Sequence, residues 1–244
     1  MTRQHLLLSI VGVVVLMMLP SCTNDDDSPE LLRPTALVTV CPNADGSFIM
    51  QLDNATQLVP TNLKTSPFGT KEVRALVNYT ETNVSPQDKK VRNVEVNWLD
   101  SIRTKLPVET LGKQDEVKYG NDPIEIVQDW VTVAEDGYLT LRIRTLWGSP
   151  HATHILNLVT GTNPEDPYEL ELRHDAKGDK NGRWGDALIA FNLNKLPRGD
   201  AGIAKIKLKW KSFTGDKSAK FEIKMRPLKQ EIDANNIQYS RGIE

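Results

Sequence analysis

The chain has 244 residues, 39% hydrophobic and 25% charged, with 30 Lys and Arg against 32 Asp and Glu and a net charge of -2. So much apolar residue with so little net charge excludes a disordered chain, and the length admits one large domain or two modest ones. The charge balance gives no electrostatic drive onto nucleic acid, and two cysteines cannot build a disulfide scaffold.

Residues 1–21 read as a secretory signal peptide: a short polar start with Arg3, an apolar run from Leu6 to Leu19, and Ser21 before the cut. As a helix that run reaches about 21 Å, short of a membrane core of roughly 30 Å, so a lasting span is not expected. Leu19-Pro20-Ser21-Cys22 resembles a bacterial lipobox. That resemblance implies that Cys22 is lipidated and becomes the first residue of the mature protein. Several acyl chains on one residue hold firmly, since each buried methylene adds about 0.8 kcal/mol. Residues 22–34 form an acidic tether too polar to join a core. Within it Asp25, Asp26 and Asp27 resemble the surface-export signal of Bacteroidetes lipoproteins. The expected address is the outer membrane, lipid-anchored and surface-exposed. With Cys22 lipidated, Cys41 is left as the one free thiol, in the apolar run Ala36 to Cys41, where a buried inert thiol is expected.

Beyond Pro34 the apolar positions recur every second residue. The pattern predicts strands over 35–41, 47–58, 70–80, 90–99 and 101–106, enough for a small closed barrel spanning 35–115. A polar, turn-rich stretch near Lys113 to Asp122 marks the boundary. Seven further strands are predicted over 124–133, 138–147, 153–160, 168–174, 186–193, 203–213 and 219–226. They suit an antiparallel β-sandwich spanning 120–228, with 229–244 as a polar tail. Turn signals such as Glu135-Asp136-Gly137 and Thr214-Gly215-Asp216 separate the strands, and no long amphipathic helix is offered. The fold class is all-β. On the alternation, Thr140, Arg142 and Arg144 form a solvated outer face.

Several stretches resemble the NigD-like lipoprotein family of the Bacteroidetes. They are Asn121 to Ile126, Glu135 to Leu139, His154 to Val159, Tyr168 to His174 and Ala190 to Leu193. The resemblance implies an OB-like N-terminal barrel followed by a C-terminal β-sandwich, in agreement with the strand counts. The family takes its name from a bacteriocin operon, which implies a bacteriocin-associated or immunity role as one alternative. It implies no reaction.

The sequence shows no assembled catalytic signature. There is no G-x-S-x-G elbow. Glu135-Asp136 and Glu165-Asp166 stand beside Gly137 and Pro167 and read as turn residues. His151, His154 and His174 could ligate zinc, but residues three apart in a strand face opposite ways, so packing or backbone hydrogen bonding is the default and no metal is expected. Asp175 to Gly182 lacks the spacing and the bidentate Glu of a calcium loop and reads as a hairpin loop. No cofactor is called for. Lys205, Lys207, Lys209 and Lys211 line one strand face with Trp210 opposite, either an anion-binding stripe or a solvated, edge-protecting face. Asp100-Ser101-Ile102 resembles the O-glycosylation signal of exported Bacteroidetes proteins, with Ser101 as acceptor. Trp147, and Trp184 in a glycine-flanked loop, are not explained by strand alternation, so ligand contacts are expected from sandwich loops that carry them. The reading is a non-catalytic lipoprotein, membrane-held by its lipid, that binds a protein or saccharide and no nucleic acid. An exported hydrolase built on converging carboxylates or histidines is the remaining alternative. Replacing Cys22 with Ala should move the protein out of the outer-membrane fraction. A variant that still fractionates with that membrane as wild type does would refute the anchor.

Overall fold

The computed structural model describes Glu30, residues 32–83 and residues 90–226. Residues 1–21, Cys22, Asp25 to Asp27 and residues 229–244, on which the expected signal peptide, lipidation, export signal and tail fall, lie outside the described residues. The first half forms β1 (Ala36–Pro42), β2 (Phe48–Gln51), β3 (Gln57–Pro60), β4 (Val73–Asn83) and β5 (Val91–Ser101). These close a barrel in the order β1-β2-β3-β5-β4, with β3 running parallel to β5. The run predicted as one strand over 47–58 breaks in two. Asp53 Oδ1 accepts the amides of Ala55 and Thr56 and turns the chain. Val38, Val40, Met50, Leu58, Ala75 and Val77 fill the barrel.

The chain continues through β6 (Arg103–Lys105), β7 (Val108–Glu109) and the single-turn helix α1 (Asp115–Tyr119). Then come β8 (Glu125–Val127), β9 (Val133–Glu135), β10 (Tyr138–Trp147), β11 (Ile155–Thr160) and β12 (Glu169–Asp175). β13 (Arg183–Asn192), β14 (Ile203–Ser212) and β15 (Gly215–Lys224) complete the fold. One sheet has the order β6-β13-β10-β8, with β9 also on β10; the other has the order β15-β14-β12-β11-β7. Their inner faces meet through Leu139, Leu141, Ile143, Leu158, Leu170, Phe191, Leu208 and Ile223, all at or near zero exposure.

The all-β class, the OB-like barrel and the sandwich stand as the sequence implies. Besides the break in the 47–58 run, three details of strand layout differ. First, residues 103–109 belong to the sandwich rather than the barrel, since β6 pairs with β13 and β7 with β11. Strands of three and two residues are too short to show a period, and their register comes from distant partners. Second, these two pairs and β12 with β14 are parallel, so both sheets are mixed. Third, the run predicted over 124–133 is interrupted, because Asp129 Oδ1 accepts the amides of Val131 and Thr132 and breaks β8 from β9.

Glu135, Asp136 and Gly137 do turn the chain between β9 and β10. Asp136 and Gly137 both have positive φ, at 50° and 75°, the pattern of a tight hairpin turn matched to strand twist. Their neighbours do more than turn. The outer side of β1 and β4 sits on β10 and β13, with Leu37 and Ile102 of the barrel half against Ala190. Arg74 on β4 is fully buried there. Its guanidinium donates to Glu135 Oε1 at 2.5 Å, Thr39 Oγ1 at 2.9 Å and Thr140 Oγ1 at 3.4 Å. Thr140 is therefore sealed under the barrel and is not part of a solvated face. The Tyr138 hydroxyl donates to Glu72, and Asn192 Nδ2 donates to that hydroxyl at 3.1 Å. Arg226, at the end of the described chain, pairs with Asp136 and, at 2.7 Å, with Glu72. Removing one partner of a buried ion pair typically costs about 3–5 kcal/mol, because the other charge is left uncompensated. Glu135→Ala, which strands the Arg74 charge, should lose stability on that scale in denaturant unfolding, whereas Lys205→Ala should change it by less than about 1 kcal/mol. Equal, small effects would show that the Arg74 network does not hold the domains.

Candidate functional site

The barrel covers only one end of the outer face of β10 and β13. Thr140 pairs with Ala190 under it; beyond that the ladder runs Arg142 with Leu188, Arg144 with Asp186 and Leu146 with Trp184. This open half is where exposed aromatic and fixed polar groups meet. Arg142 donates to Asp129 at 2.7 Å and to Asp186 at 2.8 Å, and Arg144 donates to Asp186 at 2.6 and 3.0 Å. The Arg144 and Arg142 guanidiniums hold the Asp186 carboxyl down to about 2, with Arg144 the larger influence. Charge is thus kept on Asp186 across any physiological pH. Trp184 lies at one end, 56% exposed, with the Phe213 ring set edge-on to it at 4.9 Å between centroids. Trp130, 55% exposed, stands at the other. There a groove of about 240 Å³ opens between the domains, with Pro34 and Leu76 from the barrel half and Trp130, Arg142, Asp186 and Leu188 from the sandwich.

Trp184 is not in a loop. It is the second residue of β13, and the glycines that suggested a turn have other work. Gly185 lies under the Trp147 indole: a Cβ there would meet Trp147 Cδ1 at 2.6 Å. Trp147 ends β10, and its position opposite Arg183 turns its ring to the other side of the sheet from Trp184. It donates Nε1–H to Gly185 O at 3.2 Å and stacks on His154 with centroids 4.0 Å apart. Trp147 therefore closes the end of the sandwich interior, and of the two indoles only Trp184 faces out.

The histidines form a chain beneath it. His154 and His174 have almost wholly buried side chains. His174 Nδ1 lies 3.1 Å from Pro123 O, which only accepts, so Nδ1 carries the proton. Nε2 of the neutral ring is then an acceptor, and His154 Nδ1, 2.9 Å away, donates to it. His154 Nε2 is 3.3 Å from Asp179 Oδ2, a carboxylate that only accepts, so both contacts of this ring are hydrogen bonds when His154 carries both protons. That carboxylate also takes the amide of Gly148, at 3.0 Å, and of Ser149, at 3.4 Å. All four ring nitrogens are engaged, while His151 stands apart and exposed in the turn before β11. The segment Asp175 to Gly182 is not a hairpin loop: it crosses from β12 in one sheet to β13 in the other, and Asp179 fastens it to the Gly148 turn.

The lysines lie on the outer face of β14 with Trp210 in the core, as alternation predicts. They do not form a bare cationic stripe. Glu169 of β12 sits between Lys207 at 2.9 Å and Lys209 at 2.6 Å, and those two ammoniums, Lys209 first, lower its pKa. Lys205 faces Glu222 at 3.9 Å, while Lys211 continues the row. β14 is internal to its sheet, so edge protection does not account for the lysines. Ser101 is exposed at the end of β5, next to buried Ile102. Cys41 is mostly enclosed, and burial, reinforced by Glu72, pushes its thiol up to about 12, an unreactive state at neutral pH. Sequence reasoning missed Trp130 because it falls inside an apolar run read as one strand, though the adjacent Asp129 is a turn signal.

Residues 37–102 match the NigD-like N-terminal OB domain, and residues 107–223 match the NigD-like C-terminal beta sandwich domain. The division falls between β5 and β7, where the chain leaves the barrel. A Parabacteroides distasonis protein described as toxin-related is 30% identical, over 77% of this chain and 91% of its own, with a TM-score of 0.65. A NigD-like immunity protein from Bacteroides caccae is 20% identical, over 77% and 92%, with a TM-score of 0.55. A Bacteroides fragilis protein described as a lipoprotein is 14% identical, over 79% and 98%, with a TM-score of 0.54. No functionally curated protein matches the chain.

The histidine chain makes stability pH-dependent. Burial lowers the His174 pKa below its ordinary value of 6.5, despite the opposing Pro123 carbonyl. The folded state then binds fewer protons than the unfolded chain. Its contribution is complete above pH 6.5 and is lost as the pH falls toward the lowered folded value. Melting temperatures between pH 8 and 5 should fall more steeply for wild type than for His174→Gln. Parallel curves would show that His174 does not govern this range.

Proposed function

The chain belongs to the NigD-like family, and from that premise we propose that it is a non-catalytic, lipid-anchored outer-membrane lipoprotein, surface-exposed, that binds a saccharide chain on the open half of the β10–β13 face. The observation that carries the reading is Trp184, a large apolar side chain left more than half exposed on the outer face of a strand that buries Ile189 and Phe191 inward. An indole presents a flat apolar face on which the C–H face of a pyranose can stack. Between Trp184 and the groove at Trp130 lie Arg142, Arg144 and Asp186, locked to one another and so pre-organised to donate to and accept from ring hydroxyls. The ladder from Leu146 to Arg142 spans four residues, about 13 Å at roughly 3.3 Å each, the length of a short oligosaccharide segment. Catalysis finds little support there, since the carboxylates of this face are neutralised by guanidiniums and neither is placed as a free acid or base.

A second reading, an immunity role, is favoured by the toxin-related description of the 30% identical protein; its ligand would be a toxin rather than a glycan. The two separate on a panel of soluble glycans. Trp184→Ala should leave the melting temperature near that of wild type, because an exposed residue contributes little to stability. Glycan binding should fall roughly tenfold or more, as for a central aromatic anchor. Retained glycan binding in that variant, or no glycan binding by wild type together with capture of a co-encoded toxin, would overturn the saccharide reading.

A further inference from the structure

The sandwich is open along one side. Between the edge strand β6 and strand β11 lies a cleft of about 350 Å³ that reaches the core. Its walls are Ile143, Trp147, Ile155, Leu156, Ala187 and Ile189. Two cations stand at its mouth. Arg103 and Lys105 are two apart on β6, opposite Ile189 and Phe191 of β13, so both side chains point to the inner side of the sheet. Lys105 Nζ donates to Leu156 O at 2.5 Å and Asn157 Oδ1 at 2.9 Å, both neutral acceptors. Among the described residues neither Arg103 nor Lys105 makes a salt bridge, and no carboxylate lines the cleft. His154 shows the cleft a ring whose nitrogens are already engaged.

An apolar recess with two uncompensated cations at its entrance matches one ligand chemistry. We propose that this cleft binds a small amphiphilic carboxylate, its hydrocarbon body against Ile143, Leu156 and Ile189 and its carboxylate between Arg103 and Lys105. Charge complementarity carries the assignment: a neutral apolar ligand would leave both cations as they are, whereas an anion supplies the counter-ion that neither has. Burial, with Arg103 adding to it, lowers the Lys105 pKa, and an anion placed between the two cations opposes that by favouring the charged ammonium. The cleft opens on the other side of the β13 sheet from the saccharide face, with Ala187 and Leu188 bordering both it and the Trp130 groove.

Hexanoate is the probe, titrated calorimetrically into the full-length Cys22→Ala chain, with hexanamide as its uncharged counterpart. Saturable hexanoate binding is expected, with hexanamide at least tenfold weaker. Arg103→Gln removes an exposed cation that makes no salt bridge among the described residues, so the melting temperature should hold while hexanoate weakens several-fold. Ala187→Met fills the cleft from β13 and should abolish binding of either probe. Lack of saturable hexanoate binding, equal affinity for the two probes, or unchanged hexanoate affinity in both variants would overturn the proposal. Arg103 borders the cleft and not the Trp130 groove, so glycan binding by Arg103→Gln should match wild type, and failure of one site is distinguishable from failure of the other.

Discussion

A guanidinium with no exposure to water holds the two halves of this protein in one orientation. Arg74 can be buried only because the sandwich brings Glu135 and Thr140 to it and the barrel brings Thr39. That guanidinium and Arg226 both lie over the Tyr138 ring, 5.9 and 5.4 Å from its centroid, so each cation meets the negative face of one π-system. Burial and the hydrogen bond to Glu72 keep the Tyr138 phenol protonated, so it stays a donor. Apolar contact across the interface is modest: Leu37, Ile102 and Ala190 are its buried members. The directional bonds of the network, more than area, specify how barrel and sandwich meet. A shift of either domain would leave a charge buried without a partner.

That orientation creates the candidate site. The β10–β13 ladder is continuous from Tyr138 to Trp147, yet the barrel shields only its first part. Where the shield ends, the same outward register that gave Tyr138 and Thr140 to the interface gives Arg142, Arg144 and Leu146 to solvent. The groove at Trp130 is the seam between covered and open strand, with a wall from each domain. Tilting the barrel would change the groove, whereas the Trp184–Phe213 pair, built on the sandwich alone, would stay. Pre-organisation of the open face thus rests partly on the buried network beside it.

Period-two alternation placed most strands well because each half-buried strand carries its own record of inside and outside. β10, β12, β14 and β15 are legible this way, and the glycine-marked turns between them follow. What escaped is what depends on a partner far along the chain. Arg74 sits in an alternating run where an arginine ordinarily marks the wet face; its burial is decided by a strand more than sixty residues away. Asp136 and Glu135 look like turn residues and are, but their second role as counter-ions needs the barrel in place. Gly182 and Gly185 imitate a loop around Trp184. Gly185 is small because Trp147 crosses it, a contact no local pattern records. The strand argument about His151 and His154 does not apply, since both precede β11, and His154 meets His174 because β11 and β12 are neighbours in register near that end.

The two proposed sites share β13 as a wall, and the strand's alternation makes them separable. Trp184, Asp186 and Leu188 look outward along the Arg142–Arg144 ladder, while Gly185, Ala187 and Ile189 look inward toward Trp147, Ile143 and the cleft. One strand thickness therefore lies between a polar, aromatic outer surface and an apolar recess ringed by cations. Substitutions at Trp184 and Asp186 act on the first and those at Ile189 on the second, whereas Ala187 and Leu188 border both recesses. The strand is held on both flanks: β6 pairs with β13 from Ile189 to Phe191, and β10 pairs with it along its whole length. Packed sheets of this kind resist continuous deformation, so each face keeps its own chemistry unless the strand pairing itself is broken.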